Sequence, residues 1–76
     1  MSYGYSAKII RLNIAADPEL LGVRLGRVCI SKNISVIEVA RELRVTRQTI
    51  YNWFYGETVP TETLAPAIES YISSLV

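Results

Sequence analysis

Arg47, Gln48, Tyr51 and Asn52 are the residues of this 76-residue chain best equipped for surface chemistry. They fall in the stretch TRQTIYNW, residues 46–53, interleaved with Ile50 and Trp53. On a helix, residues four apart share a face, so Gln48 pairs with Asn52 and Arg47 with Tyr51. Ile50 and Trp53 then mark a different, buried edge. A core helix would not carry Arg47 and Gln48, and a solvated helix would not carry Ile50 and Trp53. Arginine offers a planar fork of donors, and a carboxamide offers donor and acceptor side by side. The stretch reads as a helix with one buried edge and one edge able to hydrogen-bond something flat and polar.

Catalysis and metal binding find little support. The chain has no histidine and one cysteine, Cys29, which excludes an internal disulfide and a Cys/His zinc site. Cys29 lies among apolar residues and reads as a small buried hydrophobe rather than a nucleophile. There is no glycine-rich phosphate loop, and the seven carboxylates are scattered. No catalytic residue, metal ligand or cofactor is expected, and no enzymatic activity. The N-terminus does not resemble a signal peptide, and no apolar run reaches membrane-spanning length. A soluble, cytoplasmic protein with no membrane association is the expectation.

Net charge is only +1, but the charges are sorted. All eight basic residues precede residue 48, and Glu57, Glu62 and Glu69 follow residue 52 with no basic residue beside them. Such asymmetry suits one face for an anionic partner and another for something else.

The elements that would position these residues follow from periodicity. Residues 1–6, MSYGYS, read as a loose start. In KIIRLNI, residues 8–14, Ile10, Leu12 and Ile14 alternate with polar or opposite-facing residues, which predicts a short strand or extended arm. A lone strand needs a partner, and a second copy of the chain could supply it. DPEL, residues 17–20, predicts a helix start that runs to about Lys32, with Leu21, Leu25, Val28 and Cys29 buried. Asn33 can end it in a left-handed conformation. Ser35 and Glu38 predict a capped second helix with Val36, Val39, Ala40 and Leu43 inward. Thr46 can cap a third helix, Arg47 to Tyr55, which Gly56 ends. Thr63 is the expected cap of a last helix whose stripe is Leu64, Ile68, Tyr71, Ile72 and Leu75. One small domain is expected, with an arm or strand at 1–16 and the helical part at 17–76.

The second and third helices are separated by only Arg44 to Thr46, the spacing of a helix-turn-helix. Residues 35–56, SVIEVARELRVTRQTIYNWFYG, resemble the helix-turn-helix of the lambdoid phage repressor and Cro family. The resemblance covers about residues 18–72 and rests on Val39, Ala40, Leu43, Val45, Ile50 and Trp53. It implies an all-α bundle of about four helices, here with the short extended arm added. Two positions depart from the family pattern. Arg44 stands where glycine is usual, so either it tolerates a left-handed backbone or the turn differs, and Val36 replaces a glutamine that often bonds a phosphate. The arm before Asp17 is not a general family feature.

In such a motif the third helix enters the major groove with its first turn at base edges. Arg47 can bond guanine O6 and N7, and Gln48 adenine N6 and N7. The resemblance implies the same assignment for Arg47, Gln48 and Asn52. Tyr51 can touch a thymine methyl or bond a phosphate. Thr46, Thr49, Tyr55, Arg44 and Arg41 are candidates for the DNA backbone, although Arg41 could instead pair with Glu38 or Glu42. A sequence-specific double-stranded DNA-binding regulator is expected, a repressor of the phage or mobile-element type. A homodimer on an operator with two half-sites would supply the specificity one helix lacks. Its contact could use Ile10, Leu12 and Ile14, or Tyr71, Ile72, Leu75 and Val76, or both; alternatively Lys8 and Arg11 on the arm could lie along DNA. Two other classes are a protein-interaction module with an unknown partner, such as an antitoxin, and an architectural or recombination accessory protein that bends DNA.

Overall fold

The structure is a computed structural model that describes residues 5–76. Its elements are α1 (Ala7–Ala15), α2 (Leu21–Ser31), α3 (Val36–Leu43), α4 (Arg47–Tyr55) and α5 (Ala65–Leu75), and the described residues contain no strand. The all-α expectation holds, with five helices rather than about four.

The extra helix corrects the N-terminal reading. Residues 8–14 are helical, not an extended arm or strand. Ser6 caps α1 by accepting a hydrogen bond from the Ile9 amide at 3.3 Å. A lone strand would have left its backbone groups unpaired, whereas a helix satisfies them within the segment. The inward positions are Tyr5, Ile9 and Asn13, spaced by four, and not the alternating Ile10, Leu12 and Ile14. Ile10 packs against the core, whereas Leu12 is 39% and Ile14 65% exposed. The strand route to pairing two copies is therefore absent. The loose start expected at 1–6 falls mostly outside the described residues, and its last two members are ordered by use. Tyr5 is buried, stacks at an angle on Phe54 with ring centroids 5.9 Å apart, and donates its hydroxyl hydrogen to the Ile34 carbonyl.

DPEL forms a turn and not the first turn of a helix. Asp17 Oδ1 accepts from the Glu19 amide at 2.9 Å, and the Asp17 carbonyl accepts from Leu20 at 3.2 Å. The side chain that could have capped a helix instead closes the corner between α1 and α2. Helix α2 begins four residues later, at Leu21, without a side-chain cap.

Helix α2 carries Gly22 and Gly26, a poor composition for a helix taken alone. Packing explains both. A β-carbon at position 22 would lie 2.6 Å from Trp53 Cβ and 2.9 Å from its carbonyl oxygen. One at position 26 would lie 2.6 Å from the Asn13 amide nitrogen and 2.9 Å from Phe54 Cγ. The two glycines let α2 and α4 approach until backbone meets backbone. The core between them holds Leu25, Cys29, Val39, Ile50, Trp53, Phe54 and Ile68.

Asn13 is the buried polar side chain of this core, 2% exposed. Its Nδ2 donates to the Phe54 carbonyl at 2.8 Å and to the Val23 carbonyl at 3.3 Å. Phe54 lies in the last turn of α4, where carbonyls lack intrahelical partners. Arg27 in turn donates to the Asn13 and Ile14 carbonyls at the end of α1, at 3.4 and 3.1 Å. One side chain thus ties α1 to both α2 and α4.

Helix α5 starts at Ala65 with Leu64 as cap residue and Pro66 in its first turn. The expected Thr63 cap is not formed. Ile68 and Ile72 are buried, and Tyr71 and Leu75 are half-buried.

Two stability predictions follow from this packing. Glycine to alanine usually stabilises a helix by roughly 0.5–1 kcal/mol. Gly22→Ala should do the reverse, lowering stability by about 1–3 kcal/mol because Trp53 backbone must shift. Urea unfolding midpoints measure this, and an unchanged or raised midpoint contradicts the close approach.

The second concerns pH. Burial, with Glu38 adding to it, pushes the Cys29 thiol from an ordinary 9.0 up to about 12. Burial also raises the Tyr5 phenol, with nearby Cys29 and Tyr51 contributing. Below pH 9 both folded and unfolded thiols hold the proton. Above it the unfolded thiol ionises and the folded one does not, so stability falls as pH rises from 9 toward 12. Unfolding midpoints should be level to about pH 9 and decline beyond it. Midpoints that stay level up to about pH 11 would contradict the burial of these groups.

Candidate nucleic-acid interface

Helices α3 and α4 are joined by Arg44, Val45 and Thr46. Ser35 caps α3 by accepting from the Glu38 amide at 3.1 Å. Val36, Val39, Ala40 and Leu43 all face inward, as the periodicity requires. The helix ends on Arg44 at φ 60°, ψ 44°, so of the two alternatives at this position the left-handed backbone is the one adopted. That turn redirects the chain, and the Val45 amide donates to the Ala40 carbonyl at 3.0 Å. Thr46 then caps α4, accepting from the Thr49 amide at 3.1 Å. Its hydroxyl also meets the Thr49 hydroxyl at 2.9 Å. Gly56, at φ 78°, ends α4 as expected.

The two faces of α4 separate cleanly. Ile50, Trp53 and Phe54 are buried, Ile50 and Phe54 at 0% exposure. Arg47 and Gln48 are exposed, and Tyr51, Asn52 and Tyr55 are half-exposed beside them. Two parallel ridges result. In one, Gln48 Nε2 donates to Asn52 Oδ1 at 3.0 Å. In the other, Tyr51 and Tyr55 stack with centroids 6.2 Å apart and planes 19° apart, one turn above Arg47. Burial and the neighbouring Tyr51 raise the Tyr55 phenol, which keeps it a neutral donor.

Arg41 and Arg44 are exposed, and Arg41 forms no ion pair with Glu38 or Glu42. Among the described residues the ion pair that forms joins Arg24 to Glu69 at 3.6 Å, on an exposed surface where such pairs contribute little. Among the described residues Arg41, Arg44 and Arg47 have no ion-pair partner, which leaves three positive charges around the turn. On the other candidate surfaces, Ile72 is a core residue, while Leu12, Ile14 and Val76 are exposed.

A cleft of about 180 Å³ beside the start of α4 was not legible in the sequence. Tyr5 and Ile9 of the N-terminal segment, Val36 and Ile37 of α3, and Arg47 and Tyr51 of α4 line it. Reading residues 8–14 as a strand removed one of its walls. Among the described residues no cluster of His, Cys, Asp or Glu could hold a metal ion, and no helix is long and apolar enough to cross a membrane.

This architecture is that of a helix-turn-helix protein. A helix-turn-helix family model matches residues 23–73, and the chain belongs to that family, which includes the lambdoid repressor and Cro-like proteins. Membership supports a DNA-binding transcription regulator. No curated protein and no solved structure matches the chain.

The left-handed Arg44 gives a prediction that separates fold from function. Arg44→Gly removes the conformational strain and should raise stability by up to about 1 kcal/mol. It also removes a charge beside the turn and should weaken DNA binding. A thermal melt and a DNA titration at fixed salt check the two halves, and loss of stability would contradict the strained turn.

Proposed function

We propose that this protein is a sequence-specific regulator that binds double-stranded DNA and reads the major groove with α4. The observation that carries this reading is the exposed ridge of Arg47, Gln48, Tyr51 and Asn52, held outward by the burial of Ile50, Trp53 and Phe54. Arg47 is matched to the paired acceptors of guanine, and Gln48 to the donor and acceptor of adenine. Tyr51 and Asn52 extend the reading by one turn. Thr46, Thr49, Tyr55, Arg41 and Arg44 lie around this ridge and the turn, where they would meet phosphates.

The mode of action proposed is repression by occupancy, of the kind phage and mobile elements use. One α4 reads only a few base pairs, so a homodimer on two half-sites about one helical turn apart would supply the remaining specificity. Leu12, Ile14 and Val76 are exposed apolar residues available for such a contact, and Tyr71 and Leu75 are half-exposed.

Selection from a random pool of duplex DNA, at fixed salt, tests this. The wild type should recover an inverted repeat. Arg47→Ala and Gln48→Ala should each relax one position within it, at a cost of about 1–3 kcal/mol per lost contact. Equal weakening on all sequences would instead indicate an architectural binder. Recovery of no motif would defeat the base-reading role.

A further inference from the structure

We infer that α1 is a second DNA-contacting element, whose Lys8 binds the phosphate strand bordering the groove that α4 enters, while Arg11 of the same helix stays clear of the DNA. The inference rests on the proposed role of α4 and goes further, because it assigns a contact to a helix that lies outside residues 23–73, the part matched by the family.

The direction of α1 comes from two contacts. Ile9 shares a cleft with Arg47 and Tyr51, in the first half of α4. Asn13, one turn later, donates to the carbonyl of Phe54, in the last turn of α4. The two helices therefore run the same way, and their first turns lie side by side. Tyr5 pins that end of α1. Its ring lies against Phe54, and its hydroxyl donates to the Ile34 carbonyl, just ahead of α3.

The rotation of α1 follows from its inward residues. Successive residues turn by roughly 100° about a helix axis. Ile9 faces the α4 side. Ile10 packs against the core, and Asn13, displaced to the same flank, also donates to the Val23 carbonyl of α2. That flank therefore faces α2. Lys8 lies roughly 100° from Ile9 on the opposite flank. Helix α4 likewise turns its buried edge to α2, where Gly22 and Gly26 admit Trp53 and Phe54, and its polar ridge away from it. Lys8 and Arg47 thus share one side and one end of the molecule.

The chemistry at that end suits an anion. Lys8 is exposed, and among the described residues neither Lys8 nor Arg47 has an ion-pair partner. Val36, which lines the same cleft, has a buried apolar side chain and cannot bond a phosphate. With α4 in the groove, the nearest anion to a lysine on this flank is the sugar-phosphate strand at the edge of the groove, and such contacts position a protein without reading sequence. Arg11 lies roughly 160° from Ile9 and points away from α4. An extended arm could lay both cations along DNA, whereas the helix separates them.

The test is the salt dependence with which the intact chain binds the duplex recovered by selection. Each phosphate neutralised adds about 0.9 to the steepness of log affinity against log salt. Lys8→Ala should make that slope shallower by about one for each copy of the chain bound, with base preferences unchanged. Lys8→Arg should keep the slope. Arg11→Ala removes the same charge from the same helix and should leave the slope at its wild-type value. Both side chains are exposed, so neither substitution disturbs the core. An unchanged slope in Lys8→Ala, or an equal loss in Arg11→Ala, overturns the inference and leaves the base-reading role standing. A base position that relaxes in Lys8→Ala also overturns it. Recovery of no motif by the wild type defeats the base-reading role alone, because the same comparison on a duplex of arbitrary sequence still measures the Lys8 contact.

Discussion

Helix α2 lies against α4 more closely than side chains would permit, and the geometry of the surface depends on that contact. Gly22 faces the Trp53 backbone, and Gly26 leaves room for the Asn13 amide and the Phe54 ring. With Trp53 and Phe54 seated there, α4 has one rotational setting. Rotation by a single residue, about 100°, would draw Phe54 out of the core and turn the Gln48 ridge toward it. Burial of the two aromatic side chains contributes roughly 1.5–3 kcal/mol each, so such a setting would not be populated. Positioning of the polar ridge is thus done from behind, by glycines and aromatics that never reach the surface.

Charge is distributed with similar economy. Of the arginines, Arg27 is committed to the end of α1 and Arg24 to Glu69. Those that remain near the turn are Arg41, Arg44 and Arg47. Each phosphate neutralised releases counterions and adds to the salt dependence of binding. A monomer with so few cations at its proposed interface would hold DNA weakly at physiological salt. Two copies would double the count as well as the length of sequence read. The low net charge of +1 works against non-specific retention on DNA.

Much of this was legible in the sequence where one signal dominated. The inward stripe of α3, the caps at Ser35 and Thr46, and the left-handed residues Asn33 and Gly56 follow from local rules, whereas the left-handed Arg44 was raised only by the family resemblance. The N-terminal segment was not legible, because KIIRLNI fits two periods. Read by twos it offers Ile10, Leu12 and Ile14. Read by fours it offers Ile9 and Asn13, and an asparagine does not announce itself as a core residue. Its burial makes sense only once the Phe54 and Val23 carbonyls are placed opposite it. DPEL failed for a related reason. An aspartate before proline closes a turn as readily as it caps a helix, and only the position of α1 decides between them. At the site, residue types identified the ridge, but the bond between Gln48 and Asn52 required a side-chain geometry that spacing only permits.

Helix α1 lies before the residues that match the family, yet it is not an appendage. Tyr5 and Ile9 reach the cleft beside Arg47 and Tyr51, near the start of α4. Asn13 holds the Phe54 carbonyl near its end. Ile9 and Asn13 are about one turn apart on α1, and Tyr5 just ahead of it extends the contact with α4. Loss of the Asn13 amide would leave a buried carbonyl unpaired, at a cost of about 1–3 kcal/mol. That cost would fall at the end of α4 remote from Arg47, where the last turn would fray first. A motif of two helices and a turn is a small unit with little core of its own. In this chain α2 supplies the surface it packs on, and α1 fixes α4 from its side.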